Sequence, residues 1–289
     1  MGKTKKHIGT FVIAALRLVR IPNLIILVLT SVVVYLFLVQ PTFDWHALLH
    51  MKMWYLTMSV VLTAAAGYVI NDYYDIKIDY VNKPKRVIVG RIIERRTAII
   101  LHTLLNVIAV VLAIMVSLKA CLVVFLSSVL LWYYANTLKR KPLIGNVVVA
   151  FLAGLSVYII GFLREDEGIT ILLFSLFGFM ISLIRELVKD IEDMKGDLAH
   201  GCKTLPILIG VRKTKGVIFV LVAILIGMIA TWFYPQSDRL VIYCGVVLFP
   251  LMVMLIVALS VADTSHQYRR ISKLCKWIML AGVLSVPLF

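Results

Sequence analysis

Two acidic stretches hold the side chains best suited to chemistry. One reads Asn71-Asp72-Tyr73-Tyr74-Asp75-Ile76-Lys77-Ile78-Asp79, the other Asp190-Ile191-Glu192-Asp193-Met194-Lys195-Gly196-Asp197. Each places Asp at i, i+3 and i+7. On a helix of 3.6 residues per turn these positions fall within about 60° of one another, on one face. Three like charges on one face repel, and a divalent cation relieves that repulsion. Oxygen donors with no His or Cys beside them suit Mg²⁺, which keeps coordination positions for phosphate oxygens. The two stretches are expected to face each other across a diphosphate.

A lone Asp at a helix end usually just solvates among lipid headgroups. Six at matched spacing, flanked by apolar helix, call for another explanation. A carboxylate at mid-bilayer costs about 2.5–3.5 kcal/mol, and such residues usually mark function.

Basic residues surround both stretches. Asp79 is followed by Asn82, Lys83, Lys85 and Arg86; Arg185 and Lys189 precede Asp190, and Lys203 follows Asp197. Lys and Arg are suited to the diphosphate oxygens that a metal leaves free. Arg91, Arg95, Arg96, Lys213 and Lys215 are read as topology determinants only. A third cluster runs from Tyr133 and Tyr134 through Asn136, Lys139, Arg140, Lys141 and Pro142 to Gly145 and Asn146. Tyr134 and Lys139 are either an interfacial aromatic with a positive stop or a pair aimed at the diphosphate. Arg17, Arg20 and Asn23 lie in the first apolar run. The two arginines, three apart, either snorkel to headgroups or receive an anionic head inside the bundle.

The elements that must position these groups are membrane helices. The chain has 289 residues, 62% of them hydrophobic, and a mean hydropathy of +0.99. Several apolar runs exceed the roughly 18 residues that span a bilayer as a helix. The fold class is all-α: a polytopic bundle of about nine transmembrane helices, with a central cavity open to the cytoplasmic side. The spans are expected near 11–39, 53–75, 97–117, 120–138, 144–163, 169–190, 215–234, 239–261 and 272–289. Residues 1–289 read as a single domain, without linker or low-complexity segment. Lys3, Lys5, Lys6 and the apolar run behind them resemble a signal peptide. Arg17 and Arg20 interrupt that run, so it is taken as a retained first helix.

The net charge of +15 would suggest nucleic acid in a soluble protein. Here the charge falls in loops between apolar runs, which membrane topology explains. Of the 30 Lys and Arg, 26 lie on one side, and only Lys52, Lys119, Arg164 and Arg239 on the other. The positive-inside rule makes the first side cytoplasmic, and both acidic stretches fall on it. Cys121, Cys202, Cys244 and Cys275 are too scattered for a zinc site or a disulfide frame.

These motifs together resemble the UbiA superfamily of intramembrane prenyltransferases. Asn71, Asp72, Asp75 and Asp79 match its NDxxDxxxD; Asp190, Asp193 and Asp197 match DxxDxxxD; Tyr134 and Lys139 match the YxxxxK between them. The likeness spans nearly the whole chain. The loop after the first motif departs: Lys83-Pro84-Lys85-Arg86-Val87-Ile88-Val89-Gly90 lacks a second Pro and a Ser, while Arg86 and Gly90 still match. The run from Arg185 to Asp197, with Lys203-Thr204-Leu205-Pro206 behind it, is similar to the branch that prenylates geranylgeranylglyceryl phosphate.

The resemblance implies Mg²⁺-dependent transfer of a polyprenyl group, geranylgeranyl in that branch, from its diphosphate to a lipid acceptor. It implies two Mg²⁺ ions, with Asn71, Asp72, Asp75, Asp79, Asp190, Asp193 and Asp197 as the metal set. Of these, Asp72, Asp75, Asp190 and Asp193 would be catalytic. Arg17, Arg20, Asn23, Lys83, Arg86, Tyr134, Lys139, Lys189 and Lys203 would bind substrate. An aromatic acceptor of quinone biosynthesis is the alternative. Transport of a divalent cation or anionic lipid is remoter, because a transporter would place charge near the midplane on broken helices. No nucleic-acid partner is expected.

Overall fold

The apolar runs fold as helices because hydrocarbon offers no partner for backbone N–H and C=O groups. The computed structural model describes residues 12–40, 42–84, 87–164, 168–233 and 237–289. Among them, nine helices are long and apolar enough to cross a membrane. The helices are α1 (12–18), α2 (Ile21–Val34, continued by a π turn, Tyr35–Val39), α3 (Met51–Asn82), α4 (Arg95–Ile114) and α5 (Leu118–Asn136). After them come α6 (Ile144–Tyr158, continued by Ile159–Leu163), α7 (Ile169–Ala199), the short α8 (Leu205–Ile209) and α9 (Val211–Phe233). The chain ends with α10 (Asp238–Tyr243, leading through a π turn into α11, Phe249–Val261) and α12 (Ser265–Ser285).

Four boundaries correct the expectation. The first span, expected over 11–39, begins at Ile21. α1 stops at residue 18, and Arg20 takes a left-handed φ of 57°. Pro22 has no N–H, and its ring clashes with the carbonyl four residues back, so it can start a helix but not continue one. The second and sixth spans do not end at the acidic motifs. α3 has 32 residues and α7 has 31, so both motifs are carried on unbroken helix. At 1.5 Å per residue each helix runs about 46–48 Å, against a hydrocarbon core of about 30 Å. Finally, the ninth span starts at Ser265 instead of 272. Thr264 and Gln267 form a reciprocal capping box there, which lets the polar turn Ser265-His266-Gln267 begin the helix.

The chain divides into two compact units, Met1–Leu29 with His50–Leu138, and Thr30–Leu49 with Lys139–Phe289. In the first unit α3 packs on α4 and α5. A Cβ at Gly67 would come within 2.9 Å of Leu131, so glycine sets the close approach of α3 and α5. Ala14, Leu18, Val69, Val89, Ile93 and Ala98 form a core beneath the loop that follows α3. In the second unit α7 is central, against α6, α9 and α12. Ile181, Ile184, Leu187, Val188, Cys275 and Ile278 are among its fully buried side chains. None of the four cysteines forms a disulfide.

Candidate active site

In the first unit, the i, i+3, i+7 aspartates project from the last turns of α3, each half-buried. The Arg20 guanidinium donates to Asp72 at 2.8 Å. The same guanidinium lies over the Tyr68 ring, 4.6 Å from its centroid, and Asn23 donates to the Tyr68 hydroxyl at 3.2 Å. The left-handed turn at Arg20 is unfavourable for a side chain with a Cβ. Its result is an arginine held by a carboxylate and an aromatic face. One turn further, Asn71 donates its amide to Asp75 at 2.8 Å. Asp79 accepts the Lys83 backbone N–H on its own carbonyl at 2.8 Å, which closes the helix. Lys83 and Tyr134 are half-buried in this unit, and Arg17 is exposed. Arg86 lies outside the described residues. Gly90 has φ 83° and its N–H donates to Ile93 at 2.8 Å, so the loop after α3 turns where only glycine is unstrained.

In the second unit, Asp190 accepts the side-chain amide of Asn146 at 2.9 Å. Asn146 is buried near the start of α6, three residues after Leu143, whose φ is 60°. Asp193 and Asp197 follow along α7, half-buried. Glu186 is 5% exposed and grips two cations at 2.8 Å each, Arg185 and Lys189. Glu192 is paired instead with Arg269 of α12 at 2.9 Å. Lys139 lies half-buried in a short 3-10 turn, Leu138–Arg140. The carbonyl of Arg140 in that turn accepts the Lys203 N–H at 2.9 Å, tying together two segments that carry expected substrate lysines. The Lys203 side chain itself is exposed.

The structure therefore brings together Arg20, Asn23 and Asp72 around Tyr68, Asn71 with Asp75, and Asn146 with Asp190. Tyr68, Asn146 and Glu186 carry no role in the sequence analysis. Each is a polar residue inside an apolar run, and that was the signal that could have marked it. Among the described residues, no group of three or more His, Cys, Asp or Glu side chains converges as a metal cage. The donors present are oxygen only, and the side-chain amides of Asn71 and Asn146 hold Asp75 and Asp190 in place.

Comparison with known proteins identifies the family. A family model described as the UbiA prenyltransferase family matches residues 24–280. The digeranylgeranylglyceryl phosphate synthase of Sulfurisphaera tokodaii is 34% identical, over 80% of this chain and 86% of its own. That of Methanosphaera stadtmanae is 32% identical, over 79% of this chain and 84% of its own. A solved digeranylgeranylglyceryl phosphate synthase structure superposes with a TM-score of 0.70 at 24% identity, covering 97% of this chain and 100% of that one. A UbiA homologue from Archaeoglobus fulgidus bound to GPP and Mg²⁺ gives 0.65 at 14% identity, covering 94% of this chain and 99% of that one. At these identities the structural likenesses establish the shared fold. With the family model covering most of its length, this chain belongs to the UbiA prenyltransferase family.

Proposed function

We propose that the chain is a Mg²⁺-dependent prenyltransferase that moves a geranylgeranyl group from its diphosphate to geranylgeranylglyceryl phosphate. One observation carries the proposal: each unit holds the same carboxylate spacing, and in each the leading Asp is fixed by a buried or half-buried donor, Arg20 on Asp72 and Asn146 on Asp190. The names of the relatives support the choice of acceptor. The A. fulgidus homologue, bound to GPP and Mg²⁺, supports a prenyl diphosphate donor.

In this reading Asn71, Asp72, Asp75 and Asp79, and likewise Asp190, Asp193 and Asp197, would hold the Mg²⁺ ions, two in number, and diphosphate oxygens would complete the metal shells. When bound, the ions supply positive charge that offsets the charge building on the departing diphosphate. The chain's own cations do the same work: Lys83, Arg86, Lys139 and Lys203 donate to diphosphate oxygens, and Lys189 binds a substrate anion beside them. Arg20 orients Asp72, while Tyr134, Asn23 and Arg17 complete the polar lining. The allylic C–O bond breaks, and its electron pair leaves with the diphosphate. The acceptor's hydroxyl oxygen bonds to the allylic carbon and one proton is released, so an ether, diphosphate and a proton result. Apolar helix walls exclude the water that would otherwise capture the allylic carbon. Residues 1–289 act as one catalytic domain. The acids face the cytoplasm, as the bias of Lys and Arg to one side supports.

The test is product analysis. Purified protein in lipid nanodiscs receives labelled geranylgeranyl diphosphate, Mg²⁺ and a panel of acceptors. The expected result is a diether of glyceryl phosphate by mass spectrometry. A prenylated aromatic product instead would overturn the acceptor assignment, and no consumption of diphosphate with any acceptor would overturn the enzyme reading.

A further inference from the structure

α7 carries a second polar stripe, nearer its start than the aspartates. Ser182, Arg185 and Lys189 repeat the i, i+3, i+7 spacing, so they share one helix face within about 60°. The surroundings are dry: Ile181, Ile184, Leu187 and Val188 are all fully or largely buried. Two donors in this stripe lack partners. Among the described residues, the buried Ser182 hydroxyl and the buried Arg185 Nε make no hydrogen bond. Ser182 is 3% exposed. Buried donors are normally satisfied, and two orphans one helical turn apart point to a ligand that would satisfy both.

The charges point to its sign. Glu186 is fixed between Arg185 Nη1 and Lys189 Nζ at 2.8 Å each. Two cations share this one carboxylate, and each keeps further N–H donors. Glu186 occupies one edge of the Arg185 fork, and Nε belongs to the other. A guanidinium edge with a neighbouring hydroxyl and ammonium suits a tetrahedral oxyanion.

We propose that Ser182, Arg185 and Lys189 form an anion site for the phosphate monoester of the acceptor lipid. The site is distinct from the carboxylates that hold the donor. This rests on the prenyl-transfer reading above and assigns the headgroup selectivity of that reaction to α7. Ser182 lies about 12 Å along the helix axis from Asp190, at 1.5 Å per residue, so an anion at the stripe's start is not one that Asp190 also grips through a metal. Lys189, beside Asp190, joins the two places. Glu186 acts as a positioning residue that holds both cations in register.

The experiment compares the full-length wild type with Arg185→Ala, Arg185→Lys and Ser182→Ala in nanodiscs. Three quantities are measured: KM for the prenyl diphosphate, KM for the phosphorylated acceptor, and KM for the same lipid lacking its phosphate. Loss of a charge-assisted hydrogen bond predicts a rise of about 10–100-fold in phosphorylated-acceptor KM for Arg185→Ala, and about 5-fold for Ser182→Ala. Donor KM stays unchanged, and the phosphate-free lipid is used equally poorly by all four proteins. Arg185→Lys keeps the charge, loses the fork, and falls between. A second arm needs no turnover: labelled phosphorylated acceptor binds the wild type in EDTA and binds Arg185→Ala at least about 10-fold more weakly. A shift in donor KM alone, or equal shifts for both acceptors, or unchanged binding in EDTA, would overturn the site. If the wild type makes no ether but still binds the phosphorylated lipid through Arg185, the transfer reading fails and the anion site stands.

Discussion

Asn146 donates its side-chain amide to Asp190 across 2.9 Å, from the buried start of α6 to the last third of the acid-bearing helix. The pair is 44 residues apart in sequence. The amide fixes the orientation of the Asp190 side chain. The left-handed Leu143, just before α6, sets the entry of the helix that carries Asn146.

Asn146→Ala should lower turnover about 10–100-fold and raise the Mg²⁺ concentration needed for half-maximal rate, because an orienting partner of a metal-ligand carboxylate is typically worth that much. Asn146→Asp should be worse, since it sets a second negative charge beside Asp190. Steady-state kinetics across a Mg²⁺ titration checks both.

Asp72→Ala, Asp75→Ala and Asp190→Ala should each cut turnover at least about 100-fold while the purified protein keeps its helical circular dichroism and melting temperature. EDTA should silence the wild type, and Mg²⁺ should restore it. Full activity of Asp72→Ala would remove that residue from the mechanism.

Arg20 offers a test that separates strain from chemistry. Its φ of 57° suits glycine. Arg20→Gly and Arg20→Ala both lose the contact to Asp72 and should lose turnover alike. Arg20→Gly should nevertheless be the more stable of the two by about 1 kcal/mol, read from thermal unfolding in detergent.

Lys139→Ala should raise KM for the prenyl diphosphate more than KM for the acceptor. Kinetics in which only the acceptor KM moves would reverse the assignment of Lys139 to the donor.

A packing control lies in the second unit. A Cβ at Gly154 would meet the Ser175 carbonyl oxygen at 2.8 Å, and backbone cannot swing aside as a side chain can. Gly154→Val should destabilise the protein by about 1–3 kcal/mol, the usual cost of overpacking. An unchanged melting temperature would show that α6 and α7 can separate there at no cost.

Much of the helical layout was legible in the sequence because the bilayer leaves few choices. A run of about twenty apolar residues must satisfy its own backbone, so span number and helix type follow from composition. Boundaries were less legible wherever polar residues continue a helix. The turns from Ile76 to Asn82 and from Ile191 to Ala199 look like loop by hydropathy, yet backbone hydrogen bonding carries α3 and α7 straight through them. Ser265-His266-Gln267 was missed for the same reason, with its capping box unrecognised.

The sequence by itself determined the chemistry on offer: six aspartates at a helical spacing, with oxygen donors only, on apolar helices. It did so because spacing along a regular helix converts directly into a shared face. Only the tertiary structure decided which partner each acid meets. Arg20 reaches Asp72 across 52 residues, and Asn146 reaches Asp190 across 44. It alone showed Ser182 Oγ and Arg185 Nε buried without hydrogen-bond partners among the described residues. Those facts depend on how helices pack within each unit, and packing between distant segments is set by side-chain fit, which periodicity along one segment does not encode.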